Sequence, residues 1–422
     1  MRILFLSQCY APEEVSASVL ITELAADLAA RGHTVTMATC APNYPYGRVF
    51  SGYRNRFYQA EQLDGVRVLR SWTYISPDKA FWRRLLNIST FSLSVFWSAL
   101  LAGHKPDVLV SYSPPFTLGL SAWLLSRIWG VPWVLQLEDL YPDAAVAAGV
   151  LHNRTMIRFF TALERFYYRH ATHISLISKT FQQNLSSKGV PAEKMTLIPV
   201  WADPDFVRPA AKDNGFRHRF DLDGKFVVMY AGNIGLTSML EDVLAAAGQL
   251  KEEPDIRFVI IGEGVKKAAL QAIAHSQELH NVIFLPFQPR EDFPEMLAAA
   301  DVGLVTLNQR SAMSSLPSKV FNIMASARAM IAVAPLDCEL TGLVQESGCG
   351  MAIPPENPGL LAQAIRQLKQ TPHALEQMGQ QGRLTLETYY ARAECVGMHE
   401  RMLARLCQAG PAGLPTAGIE TG

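Results

Sequence analysis

The sequence lacks a surplus of charge. Its 422 residues carry 38 Lys and Arg against 38 Asp and Glu, which gives no case for a nucleic-acid binder held by phosphate attraction. It also lacks ordered cysteines. Cys9, Cys40, Cys338, Cys349, Cys395 and Cys407 show no C-x-x-C and no Cys/His ligand spacing. A disulfide framework and a zinc site are excluded, and a reducing compartment is expected. No Ser/His/Asp arrangement and no metal-ligand cluster stands out, so neither a metal nor a cofactor is expected. Disorder is excluded as well, because apolar residues make up 49 % of the chain and charged residues only 18 %. The apolar run at the N-terminus ends by Cys9 and passes straight into Pro12-Glu13-Glu14. No cleavable leader is expected there, and the chain is expected in the cytoplasm.

Long apolar runs are scarce too. The one candidate for a membrane span is the charge-free stretch of residues 85–103, and Asn87, Ser89, Thr90, Ser92, Ser94 and Ser98 interrupt it. A buried helix packed on a sheet is one reading. The other adds the preceding Lys79, Phe81, Trp82, Arg83 and Arg84, whose rings and cations suit a membrane interface. Both readings stay open, and they are compatible.

What the sequence does have is alternation. Short β-type runs lie at residues 2–6, 34–38, 66–69, 108–111, 133–137 and 173–177, with helical patterns between them. After a Pro-rich break at 198–204 the pattern restarts, with strands at 226–230, 258–261, 282–285, 302–305 and 330–333. Such alternation predicts mostly parallel sheets covered by helices, and the break predicts two doubly wound α/β domains joined near residue 200. Charge divides with it. Residues 1–200 hold 19 basic and 13 acidic side chains, and the remainder holds 19 basic and 25 acidic.

Ligands of open α/β sheets sit beyond the carboxyl ends of the strands. Three such places carry candidate chemistry. At Ala231-Gly232-Asn233-Ile234-Gly235 the glycines permit close backbone approach to an anion, although a structural turn explains them equally well. At Ser314-Ser315-Leu316-Pro317-Ser318-Lys319 a capped helix start is expected, with Pro in its first turn. Lys319 and Asn322 lie three apart and share a helix face, one suited to a phosphate and the other to a sugar hydroxyl. The third place is Glu138-Asp139, directly after an apolar strand, where a general base or a hydroxyl-orienting carboxylate would stand. Tyr10-Ala11-Pro12-Glu13-Glu14 lies on the same edge.

Taken in order, these motifs resemble glycosyltransferase family 4, a family with the GT-B fold, in its exopolysaccharide and O-antigen branch. Colanic-acid-type and N-acetylfucosamine-type enzymes are the nearest in pattern. The resemblance runs from Tyr10-Ala11-Pro12-Glu13 through Asp139-Leu140-Tyr141-Pro142 and Ile198-Pro199-Val200-Trp201-Ala202-Asp203. It continues in Tyr230-Ala231-Gly232-Asn233-Ile234-Gly235, Ile261-Gly262-Glu263-Gly264 and Ala299-Ala300-Asp301-Val302-Gly303-Leu304, and ends in Pro317-Ser318-Lys319-Val320-Phe321-Asn322.

It implies two Rossmann-like domains facing across a cleft. Residues 1–200 would bind the acceptor and residues 201–385 a UDP- or GDP-linked sugar. A helix at 386–407 would cross back to the first domain, and 408–422 would form a disordered tail. Gly232, Asn233 and Gly235 would approach the diphosphate and Lys319 would pair with it. Glu263 would lie beside the donor, and Phe287 and Gln288 would flank the base. Two departures stand out. The family's Glu-x7-Glu positions hold Ser314 and Asn322, and its His-Asp pair is here Glu138-Asp139. Asp139 is the first catalytic expectation and Glu138 the second, with Glu13 and Glu14 on the acceptor side.

The implied reaction is sugar transfer with retention, by front-face substitution, to a lipid-linked glycan acceptor at the inner membrane surface. Trp82, Arg83 and Arg84 would touch that surface, and Arg154, Arg158, Arg165 and Arg169 would add attraction. A sugar-nucleotide 2-epimerase on the same fold, or a non-catalytic assembly partner with a decayed donor site, remains as an alternative.

Overall fold

Strands that read as unbroken apolar runs are buried on both faces, as parallel strands under helices must be. The computed structural model describes residues 1–409 except 79, 148, 150 and 313–315. The chain forms two compact units, one of Met1–Pro199 with the segment from Val396 on, the other of Val200–Cys395.

The first unit contains β1 (Arg2–Leu6), β2 (Thr34–Cys40), β3 (Tyr58–Leu63), β4 (Val66–Ser71), β5 (Val108–Ser113), β6 (Trp133–Leu137), β7 (His173–Leu176) and β8 (Met195–Leu197). They pair in the order β3-β4-β2-β1-β5-β6-β7-β8. Every pairing is parallel except β3 with β4. The edge strand β3, Tyr-Gln-Ala-Glu-Gln-Leu, is half-exposed along its whole length. Its polar composition explains why the sequence alone shows no strand there.

The second unit contains β9 (Phe226–Ala231), β10 (Ile256–Ile261), β11 (Val282–Leu285), β12 (Val302–Thr306), β13 (Ala329–Val333) and β14 (Gly350–Ile353). Their order is β11-β10-β9-β12-β13-β14, all parallel. Renumbered within the unit this is 3-2-1-4-5-6, the doubly wound order. Its topological switch lies between β9 and β12. In the first unit the corresponding switch lies between β1 and β5.

A buried ion pair anchors β9 from below. Arg217 and Asp301 are almost fully buried and meet at 2.6 Å. The guanidinium also donates to the Ala299 and Lys225 carbonyls, and Asp301 accepts the Val227 amide. Lys212 also reaches Asp301, at 2.8 Å, so removing Arg217 leaves the buried carboxylate with an exposed ammonium and the Val227 amide as partners, at a cost of up to about 3–5 kcal/mol. Arg217→Ala is therefore expected to lower the melting transition of this unit sharply in scanning calorimetry. An unshifted transition would contradict the anchoring role.

The helix expected over 386–407 is interrupted. A π-type turn runs over Leu386–Tyr390, and a new helix starts at Arg392–Ala409. Between them Ala391 is extended, because its neighbours pair with Ala202. The Ala202 amide donates to Tyr390 O and the Arg392 amide to Ala202 O. The expected tail lies, from residue 410 on, outside the described residues.

The charge-free stretch forms the helix Phe81–Leu101. Its segment Trp82–Leu101 is long and apolar enough to cross a membrane. One face of the helix nevertheless packs on β2, β4 and the helix Leu118–Trp129. The hydroxyls that interrupt the sequence point largely to that inner face. Ser98 donates to Phe57 O and Ser94 to Trp72 O. Ser92 shares a 2.8 Å hydrogen bond with Thr117.

Candidate active site

Beyond β9 the chain turns through Gly232 at φ +152°, and beyond β10 through Gly262 at φ +147°. L side chains rarely adopt that region, and here space forbids them too. A Cβ on Gly262 would lie 1.9 Å from Gly232 O, and one on Gly232 would lie 2.7 Å from Lys319 Nζ. The two loops are laced together, with the Ile234 amide donating to Glu263 O and the Gly232 amide to Ile261 O. The amides of Asn233 and Gly235 donate to no acceptor among the described residues.

Lys319 reaches these loops from across the switch point. It is the first residue of the helix Lys319–Ala325, which follows β12. The expected capped start lies earlier in the chain. The helix begins only after Pro317, and Ser318 makes no side-chain cap bond. Gly303 in β12 lets this helix sit close, since a Cβ there would meet Ile323 at 2.7 Å. The half-buried ammonium of Lys319 stands 3.7 Å from the centre of the Tyr230 ring. Among the described residues it has no carboxylate and no hydrogen-bond acceptor. Burial pulls its pKa down to about 7. An unpaired, partly desolvated cation beside free amides is an anion site in physical terms.

Asn322 lines the same narrow cavity as Lys319, with Met229 and Ala231 below. Glu263 is occupied by Lys267, whose Nζ lies 2.6 Å from its Oε1 and also donates to Gly262 O. Phe287 is exposed beyond β11, and Gln288 donates to its own neighbour Pro286 O. Ser314 and Ser315 lie outside the described residues. Sequence reasoning missed Tyr230, which supports Lys319 and whose hydroxyl donates to Asn233 O at 2.8 Å. A tyrosine inside an apolar strand reads as core. Its place as the second-last residue of the strand was the available signal.

In the first unit, Glu138 and Asp139 follow β6 directly. Glu138 Oε1 accepts from Gln136 at 3.0 Å. Burial pushes its pKa up to about 7, and the charge of Asp139 adds to that. The Asp139 side chain is open to water, yet the protein around it desolvates the carboxylate and pushes it up to about 6. The open geometry is the firmer fact, and such a carboxylate is ionised at neutral pH and more basic than usual.

Glu13 is buried, and its Oε1 accepts the Asn43 and Tyr44 amides. It clamps the loop after β2, while Glu14 is exposed. Arg70, fully buried, braces the same edge by donating to Ala11 O and Cys40 O and pairing with Glu61. Above it opens a groove of about 690 Å³ lined by Pro12, Tyr46, Arg48, Phe50, Tyr53 and Pro77. Of the expected membrane residues, Trp82 and Arg84 are exposed, and Arg83 is exposed with Asp78 as its ion-pair partner.

Comparison with known proteins agrees with this layout. Residues 17–201 match the family described as Glycosyl transferase 4-like domain, and residues 213–385 match Glycosyl transferases group 1. A protein of Escherichia coli (strain K12) named as a colanic acid biosynthesis glycosyl transferase, WcaI, is 31 % identical over 375 residues. That match covers 87 % of this chain and 92 % of the relative. Among solved structures, sucrose-phosphate synthase from Thermosynechococcus elongatus superposes with a TM-score of 0.77 at 17 % identity, covering 97 % of this chain and 99 % of the other. An Anabaena protein solved with UDP-glucose superposes at 0.70 and 15 %, covering 96 % and 100 %. The chain has the two Rossmann-like sheets of the GT-B fold, and it belongs to the glycosyltransferases that join a 4-like N-terminal domain to a group 1 C-terminal domain.

Proposed function

We propose that this glycosyltransferase moves a hexosyl or deoxyhexosyl group, with retention, from a UDP- or GDP-linked donor to a lipid-linked glycan in bacterial exopolysaccharide or O-antigen-type synthesis. The observation that carries the reading is that the ammonium of Lys319, set against Gly232, and the amides of Asn233 and Gly235 have no hydrogen-bond or ion-pair partner among the described residues. These groups suit a diphosphate. In the transition state the departing diphosphate gains negative charge, and donors already aimed at it lower the barrier. Asn322, in place of the family's Glu, hydrogen-bonds a sugar hydroxyl without adding charge. Asp139 receives or orients the acceptor hydroxyl proton, and desolvation by the protein around it keeps that carboxylate basic. The groove of Tyr46, Arg48 and Tyr53 pairs aromatic faces with a cation, a combination suited to a sugar joined to a phosphate.

The acceptor's lipid places the enzyme at the inner membrane face. Supporting this reading, the E. coli relative is named for colanic acid biosynthesis and the Anabaena structure holds UDP-glucose. A panel of UDP- and GDP-sugars scored by thermal shift tests it. A donor at 100 Kd stabilises by about 2.7 kcal/mol, and the matching base and sugar are expected to stand out. A panel without any binder would leave the decayed-site alternative instead. Epimerised product formed without an acceptor would favour the 2-epimerase.

A further inference from the structure

The helix Phe81–Leu101 is turned inside out for a protein in water. Its inner face carries the hydrogen-bonded Ser92, Ser94 and Ser98, with Phe91, Val95 and Ala99 between them. Its outer face is a stripe of Trp82, Leu86, Leu93, Trp97 and Leu101 broken by the exposed Ser89, and Leu93 is 65 % and Trp82 69 % exposed. A helix facing water carries its polar side outward.

The neighbouring helix Leu118–Trp129 repeats the inversion. Ser121 and Ser126 are buried and donate to the Ser92 and Val131 carbonyls. Leu120, Leu124 and Ile128 are exposed on the side away from the sheet. This helix packs against Phe81–Leu101 on one side and Arg154–His170 on the other. On Arg154–His170 the outward row is Arg154, Arg158, Arg165 and Arg169, all exposed, beside an exposed Phe159. Arg84 and Arg127 are exposed on the other two helices. The only acidic residue on the three helices is Glu164, which is buried and paired with Lys188.

We propose that these three helix faces form one surface that lies on an anionic lipid bilayer. The Trp and Leu stripes of the first two helices sink to the acyl boundary, and the arginine row of the third meets the headgroups. The charge decides between occupants. Two copies of this face would set arginine against arginine, whereas an anionic leaflet attracts each cation. Apolar stripes on helices that expose cations and no carboxylate of their own, with tryptophans among them, are the composition of an interfacial helix rather than of a spanning one. The inference deepens the proposed reading, in which the acceptor is lipid-linked, and it extends the contact from the loop around Trp82 to the whole outer face.

Flotation of the full chain with vesicles tests it, using phosphatidylcholine alone and phosphatidylcholine mixed with phosphatidylglycerol. Co-flotation with the phosphatidylglycerol vesicles is expected, with a blue shift of tryptophan emission. Leu93→Glu with Trp97→Glu, and separately Arg158→Glu with Arg165→Glu, are each expected to cut the bound fraction about tenfold or more. Nucleotide-induced thermal shifts of both variants should match the parent, which shows them folded and keeps this test apart from that of sugar transfer. If the parent floats but binds no nucleotide, the transfer reading fails and the membrane face stands. Absence of flotation, or flotation indifferent to both double variants, overturns the proposal. So does a dimer by light scattering that Leu93→Glu with Trp97→Glu dissociates, since the face would then belong to a second copy.

Discussion

Asp139→Asn is expected to lower turnover by about 10²–10⁴-fold, the usual contribution of a positioned general base, while nucleotide affinity stays unchanged. Asp139 lies in the first unit, after β6, and Lys319 with its free amides lies in the second. A change confined to the proton acceptor therefore removes a term of the rate and not of donor binding. The pH profile separates this role from a structural one. Burial raises the Asp139 carboxyl to about 6. A base must be ionised, so the rate of the parent should climb as pH rises through about 6 and flatten above it. The Asn variant has no such carboxyl and should lose that limb. Glu138→Gln should act on the same limb more weakly. Its own raised carboxyl, near 7, is coupled to Asp139, so the limb belongs to the pair. Activity in the Asn variant equal to the parent would remove Asp139 from the chemistry.

Where the sequence speaks, it does so through local patterns that the fold repeats. Trp133-Val134-Leu135-Gln136-Leu137 reads as a strand because it is buried on both faces, and β6 has those bounds. Polar Tyr-Gln-Ala-Glu-Gln-Leu hides β3, because an antiparallel edge needs only half of its side chains covered. Lys319 and Asn322 share a helix face by spacing alone, and both line one cavity. The meeting of Lys319 with Gly232 is different. It joins loops from β9 and β12, which are neighbours only because the strand order reverses there. No spacing rule contains that, and the family resemblance supplied it. Ser92, Ser94 and Ser98 are the sharpest case. Composition alone counts them as interruptions of an apolar run. Their inward, hydrogen-bonded placement makes the exposed side more apolar than the sequence average suggests.

Lys319→Ala is expected to weaken donor-nucleotide binding and to lower kcat/KM by about 10²–10³-fold, the loss typical of one preorganised electrostatic donor. The proton balance gives a second and more specific readout. Among the described residues the ammonium meets the Tyr230 ring and no acceptor, and burial holds its pKa at about 7. A diphosphate favours the charged form and so raises that pKa. At pH 8 the free site is mostly neutral and the bound site charged, so binding should take up close to one proton. At pH 6 the lysine is charged in both states and no uptake is expected. Calorimetry in buffers of different ionisation enthalpy measures this directly. Affinity should fall as pH rises above about 7, and the Ala variant should show neither the fall nor the uptake. Lys319→Arg keeps the charge at all these pH values. It should flatten the pH dependence, yet bind less well, because the ammonium already packs so close to Gly232 that a Cβ there would lie 2.7 Å from it, and the wider guanidinium would crowd that backbone. Proton uptake that persists in Lys319→Ala would mean that another group meets the diphosphate.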